Sequence, residues 1–164
     1  MAERPPPRIR IQGLANLLRW YERNLCETEL IDRRGHRVKF APERFPYLIK
    51  LRNREGGKLS NPKWHVERIR AGELTDRDFG GFEAERAETL SWLPPMILRH
   101  TLIARNSHRV IPGDELYVKE FDKLGSRHKV LICIRVSTNL LVPVTSFLRS
   151  SVRFGPEEIL WPEK

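Results

Sequence analysis

The chain has 164 residues, 40% of them hydrophobic, which is enough for one ordinary core and too few for two. Its 30 Lys and Arg against 21 Asp and Glu give a formal net charge of +9 and a pI near 10.1, a balance that favours a polyanionic partner through long-range attraction and counterion release. A mean hydropathy of -0.50, with no run approaching roughly 18 consecutive apolar residues, argues against a membrane span.

The basic excess is spread over both halves of the chain, so the charge is expected on a folded surface rather than in a tail. RNA, DNA or an acidic protein would each match it. Cys26 and Cys133 form no C-x-x-C pair, and no secretory-type apolar stretch is seen near the first residues, so a reduced, cytoplasmic protein is expected.

In chain order, residues 1–13 contain Pro5-Pro6-Pro7 with Arg4, Arg8 and Arg10, and read as an extended, loosely held basic arm. Residues 14–154 read as one domain and residues 155–164 as a tail in which Trp161 packs. Leu14, Leu17, Leu18, Tyr21 and Leu25 recur at helical spacing, which predicts an amphipathic helix from Leu14 to Cys26. Thr28 to Phe40 is a short apolar run, the turn Asp32-Arg33-Arg34-Gly35, and an alternating run, the pattern of a β-hairpin.

Phe45 to Leu51 is an apolar docking segment that gives way to a polar loop, Asn53 to Ser60, a candidate for mobility. Asn61-Pro62 and Gly72 bracket a short helix carrying Trp64, Val66 and Ile69. A further helix is expected from Phe82 to Leu93, ended by Pro94-Pro95. Four strand patterns follow: Met96 to Ala104, Glu115 to Phe121, Lys129 to Val136, and Leu140 to Phe147. The fold class is therefore α+β, with N-terminal helices and a small hairpin packed on a C-terminal antiparallel four-stranded meander.

The ordered series of Asp32-Arg33-Arg34-Gly35-His36-Arg37-Val38, Phe45-Pro46-Tyr47-Leu48-Ile49-Lys50-Leu51, the arginine-bearing helix running into Leu93-Pro94, Tyr117-Val118-Lys119 and Val144-Thr145-Ser146-Phe147 resembles the phage-associated nucleases of the barnase/EndoU/colicin/RelE-like superfamily. The resemblance spans Glu29 to Ser150. It implies a metal-independent RNase, often a toxin or phage-borne effector, with Lys119 and the Thr145-Ser146 pair lining the active face. Two positions depart from the family pattern: Tyr47 stands where members commonly carry a histidine, and Arg70 where related members have a second histidine soon after one like His65.

Metal-free RNA cleavage uses the 2′-hydroxyl as nucleophile and needs a base for its proton, an acid for the departing 5′-oxygen, and cations around the phosphorane. Of the five histidines, His100 and His108 lie in the right region, with His65 behind them, although any one of them is more often a surface residue than a catalyst. Strand alternation puts Lys119 on one face with Tyr117 and Phe121, either a solvated face or a cation set beside aromatics that stack on bases. Thr145 and Ser146 fall on opposite faces of one strand, so at most one sits directly in a site. Arg86, Arg105 and Arg109 are expected to position phosphates, and Phe147 to add aromatic contact.

Asp76, Asp78, Glu83, Glu85 and Glu88 lie in contexts where solvated charge is the common explanation, and no zinc-type spacing, H-E-x-x-H or glycine-rich phosphate loop occurs. No metal or cofactor is expected. The expected partners are RNA, tRNA included, and an acidic antitoxin or immunity protein, with no membrane. The competing reading is a non-catalytic nucleic-acid-binding module or an interaction protein of a toxin system. A single cleft gathering His, Lys and Thr or Ser favours the enzyme, and a basic groove with scattered histidines favours binding alone.

Overall fold

Leu14, Leu17, Leu18 and Tyr21 fall on one helical stripe, and in the computed structural model, which describes residues 3–105, 114–122, 124–150 and 153–162, all four are buried on α1 (Leu14–Tyr21). A π-turn, Glu22–Cys26, carries the chain on and buries Leu25. The hairpin is present as β1 (Glu29–Ile31) and β2 (Arg37–Lys39), paired antiparallel. Phe45–Leu48 (α2), Pro62–Arg70 (α3) and Ala84–Glu88 (α4) supply further short helices.

The expected helix from Phe82 to Leu93 is broken. After α4 the chain tightens into a 3-10 turn, Thr89–Trp92, where the Thr89 hydroxyl donates to the Glu85 carbonyl at 2.6 Å and competes with the helical ladder. Leu93–Leu98 then forms α5, so Met96 to Leu98 is helix and not strand. Pro94 and Pro95 sit in its first turn, where a fixed φ suits a helix and a missing N–H costs nothing. They begin a helix instead of ending one.

The strands that follow are β3 (Leu102–Arg105), β4 (Glu115–Lys119), β5 (His128–Ser137) and β6 (Leu140–Arg149), each antiparallel to the next. Among the described residues the sheet has seven strands, in the order β1-β2-β6-β5-β4-β3-β7, where β7 is Ile159–Trp161. The class is α+β, but the sheet is larger and more mixed than a four-stranded meander. Arg37 and Val38 pair in parallel with Leu140 and Leu141, and the expected tail contributes β7, whose Trp161 pairs with Ile103. None of the described helices is long and apolar enough to cross a membrane.

Alternation along the strands separates two apolar clusters. Ile103, Tyr117, Leu131, Cys133 and Leu141 join the main core with the helices, while Leu116, Val118 and Val130 form a second cluster with Ile132 and Phe147. The N-terminal arm is extended but not loose. The Trp92 Nε1 donates to the Pro6 carbonyl at 2.7 Å, the Ser91 hydroxyl to the Pro7 carbonyl at 2.8 Å, and the Ile9 N–H to the Glu88 carbonyl at 2.8 Å. A proline run cannot use its own carbonyls in a helix, so they remain free to accept.

The hairpin turn is bound to the sheet through buried charge. Asp32 accepts the Arg34 and His36 N–H groups on Oδ1, at 2.8 and 2.9 Å, and the Tyr117 hydroxyl on Oδ2 at 2.7 Å. The Arg34 guanidinium bridges Asp32 to Glu115, and Glu115 also pairs with Arg135 on β5. Burial alone would raise the Asp32 carboxyl, but the Tyr117 hydroxyl, the His36 N–H and Arg34 together hold it below the ordinary carboxylate range. Asp32→Ala leaves Arg34 with one carboxylate fewer in a dry site and is expected to lower the unfolding free energy by about 3 kcal/mol in urea titration. Glu29→Ala, which removes the exposed Arg37 partner on the same hairpin, should change it far less. Equal effects would contradict the network's role.

Candidate nucleic-acid interface

The segment after α2 is shaped by backbone constraints. Lys50 takes φ 55° and turns the chain so that the Leu51 N–H reaches the Pro46 carbonyl at 2.8 Å. The expected mobile loop is stitched instead: Asn53 Oδ1 accepts the N–H groups of Glu55 and Gly57 at 3.1 and 2.8 Å, and Arg52 bridges Lys58. Gly80 packs beneath it, since a Cβ there would lie 2.3 Å from the Asn53 carbonyl oxygen. Hydrogen bonds from Gly80 N–H to the Arg52 carbonyl and from Arg52 N–H to the Gly81 carbonyl hold this turn beside α4.

Between this turn, α2 and β6 lies a cleft of about 700 Å³. Arg44, Lys50, Arg52, Lys58 and Arg86 line it, with no carboxylate among the described lining residues. Arg86 is the ordered member. Its Nη1 donates to the Thr145 hydroxyl at 2.8 Å, its Nε to Glu83 at 2.6 Å, and its guanidinium stands 5.7 Å from the Phe147 ring centre. The part-exposed Glu83 also pairs with Lys50 at 3.2 Å, so one carboxylate beside the cleft orients two of its cations. Tyr47 lines the same cleft, with the Lys58 ammonium 5.8 Å from its ring centre.

The residues named from sequence divide among several places. Arg86 and Thr145 meet in the basic cleft, with Phe147 against Arg86. Ser146 is fully buried on the other side of the strand, its hydroxyl without a hydrogen-bond partner among the described residues. His100 and Lys119 line a different hollow, of about 470 Å³, near the N-terminal arm. His65 borders a third, beside the exposed Trp64, with Nδ1 3.0 Å from the Asn61 carbonyl.

Tyr117 and Phe121 do share a face with Lys119, but that face packs on the helices: Tyr117 is spent on Asp32, and Phe121 packs 5.4 Å from Trp92. They are core residues rather than open stacking platforms. Lys119 is also buried, and its ammonium donates to the Arg99 carbonyl and pairs with Glu3. Arg105 ends β3 on the surface, and His108 and Arg109 lie outside the described residues.

Sequence reasoning missed most of the cleft's cations. Arg44, Lys50, Arg52, Arg54 and Lys58 follow closely with only Glu55 opposing them, a local excess that was the available signal. It also missed Lys129, which is 0% exposed on β5 and donates to the Thr89 hydroxyl at 2.8 Å. Burial pushes its amine down to about 7, and Arg86 pushes it the same way.

No protein-family model matches this chain, and neither a curated protein nor a solved structure matches it.

His100 is 1% exposed, with Nε2 facing the Arg33 N–H at 3.4 Å and its ring edge-on to Trp161 at 4.6 Å. Burial lowers its pKa to about 4, so the folded protein holds it neutral near pH 7. The unfolded chain, with an ordinary histidine near 6.5, binds more protons between pH 6.5 and 4, so this group makes stability fall as pH drops through that window. His100→Gln should remove up to about 3 kcal/mol of that acid-side loss, read from urea midpoints at pH 7 and pH 4.5. An unchanged slope would show that His100 titrates normally.

Proposed function

We propose that the cleft formed by Arg44, Lys50, Arg52, Lys58 and Arg86 binds the phosphate backbone of RNA, and that the ribonuclease activity implied by the family resemblance resides there. The observation that carries this reading is the convergence of an ordered Arg86–Thr145 pair with four further cations in one cleft free of carboxylates among its described lining. Cations so placed neutralise phosphates at a distance, and a guanidinium already fixed by two partners gives a fork for a phosphate without a large ordering cost. Tyr47, at the position where the resembled nucleases commonly carry a histidine, lines the same cleft, which supports locating the chemistry there.

In this reading Arg86 and Lys50 stabilise the charge that builds on the phosphorane, and Thr145 holds Arg86 in register. The 2′-hydroxyl gives its proton to solvent water as it attacks phosphorus, and the Tyr47 hydroxyl gives its proton to the departing 5′-oxygen as the P–O bond breaks. The second reading is binding without cleavage. It is favoured by the fact that no histidine lines the cleft among the described residues, while His65 and His100 lie elsewhere.

Binding and cleavage of a defined single-stranded RNA in excess EDTA test both readings. Arg52→Ala and Lys58→Ala are expected to weaken binding by about tenfold together and to lower the salt-dependence slope by about one per cation removed. Tyr47→Phe should bind as the wild type does but lose cleavage that leaves 2′,3′-cyclic phosphate ends. Binding without cleavage in the wild type selects the second reading. Binding indifferent to Arg52 and Lys58 would sink both.

A further inference from the structure

The hollow beside the N-terminal arm is a cationic site filled by the chain itself. Glu3 accepts two hydrogen bonds from Arg99, Nε to Oε1 and Nη2 to Oε2, each 2.8 Å, in the paired geometry that a guanidinium gives to carboxylates and phosphates alike. The Lys119 ammonium adds a third contact to the same carboxylate at 3.2 Å. Arg33 lines the hollow from the hairpin, with its guanidinium 4.9 Å from the Trp161 ring centre and Nη1 donating to the His100 carbonyl at 3.1 Å. Glu120 is the other carboxylate on the rim, and it faces His128 at 3.5 Å.

We propose that Arg99, Lys119 and Arg33 form a second anion site, distinct from the basic cleft, that takes a phosphate group, with the Glu3 carboxylate as its internal occupant. The hollow of about 470 Å³ far exceeds what one carboxylate fills. Lys119 and His100 form its floor, both buried, and the His100 Nδ1 has no hydrogen-bond partner among the described residues. The rim is open: the Arg99 side chain is 50% exposed and that of Glu3 31%, so the plug is held by a solvent-screened ion pair and is displaceable. The arm's backbone is held separately, by the Asp122 N–H donating to the Glu3 carbonyl at 2.8 Å and by the bridge to Phe121. A side-chain rotation of Glu3 therefore opens the site without detaching the arm.

A phosphate offers more charge and more acceptors than the carboxylate it replaces, which is why it is the class of ligand this cluster fits. The group could arrive as free phosphate or as the 5′-terminal phosphate of an oligonucleotide, and the chemistry of recognition is the same. Titration calorimetry on the full chain separates them, using inorganic phosphate, a 5′-phosphorylated oligoribonucleotide, and the same strand with a 5′-hydroxyl. Glu3→Gln, which keeps the arm's shape and removes its charge, is expected to tighten phosphate binding by about threefold to tenfold over the wild type. Adding Arg99→Ala to it should return binding to the wild-type level or below, with thermal midpoints confirming that both variants fold.

A gain with inorganic phosphate supports a general phosphate site. A gain confined to the 5′-phosphorylated strand supports the same site with a nucleic-acid end as its source. No gain with either probe, or a gain that survives Arg99→Ala, overturns the proposal. Arg52→Ala in the Glu3→Gln background should weaken the 5′-phosphorylated and 5′-hydroxyl strands alike, as a loss from the basic cleft, while the difference between the two strands stays, so the two outcomes are distinguishable.

Discussion

Two buried carboxylates, Asp32 and Glu115, tied by the largely buried Arg34 and the partly exposed Arg135, decide where the hairpin sits and thereby what the rest of the chain can build. Charges moved out of water are tolerated only when each lone pair and proton finds a partner, and here the Tyr117 hydroxyl and two backbone N–H groups complete the set. Hydrophobic contact could hold β1 and β2 against the sheet in several registers. The directional bonds to Asp32 and Glu115 select one of them. In that register β2 pairs with β6 only at Leu140 and Leu141, leaving the later part of β6 to be flanked by α2 and α4. The basic cleft lies along that uncovered stretch, at Val144 and Thr145.

The carboxylates of this basic chain are deployed unevenly. Glu115 and Asp32 are used up inside, Glu83 stands beside the cleft, and Glu3 is carried by the arm into a separate cationic hollow. What remains facing the cleft is cationic and close together, so its field adds along one groove rather than averaging over the surface. Arg86 differs from its neighbours because Glu83, Thr145 and Phe147 each restrain it. Lys129, buried and tied to Thr89 in the 3-10 turn after α4, adds a further amine whose charge is suppressed by burial.

Much of the fold was legible because its periodicities are local. The α1 stripe, the Asp32–Gly35 turn and the strand β4, buried on both its faces, all follow from neighbouring residues. Alternation reports which residues share a face and not which face meets water, and so Tyr117 and Phe121 were placed together correctly yet lie in the core. Pro94-Pro95 carries opposite meanings at the two ends of a helix, and only the burial of Met96 and Ile97 against the core decides between them. At the site, Arg86 and Thr145 were both named from sequence, but their pairing spans 59 positions and belongs to the tertiary fold. The arm's Glu3, joined to Arg99 across 96 positions, left no local trace.

Hydrogen exchange of the full chain, with and without a single-stranded RNA, tests the central claim most directly because it reads the whole surface at once. The account predicts slowed exchange over residues 44–59 and 83–86 and along β6 near Thr145, with α3 and its exposed Trp64 unchanged. Protection centred on α3, or RNA binding that leaves residues 44–59 unprotected, would contradict it.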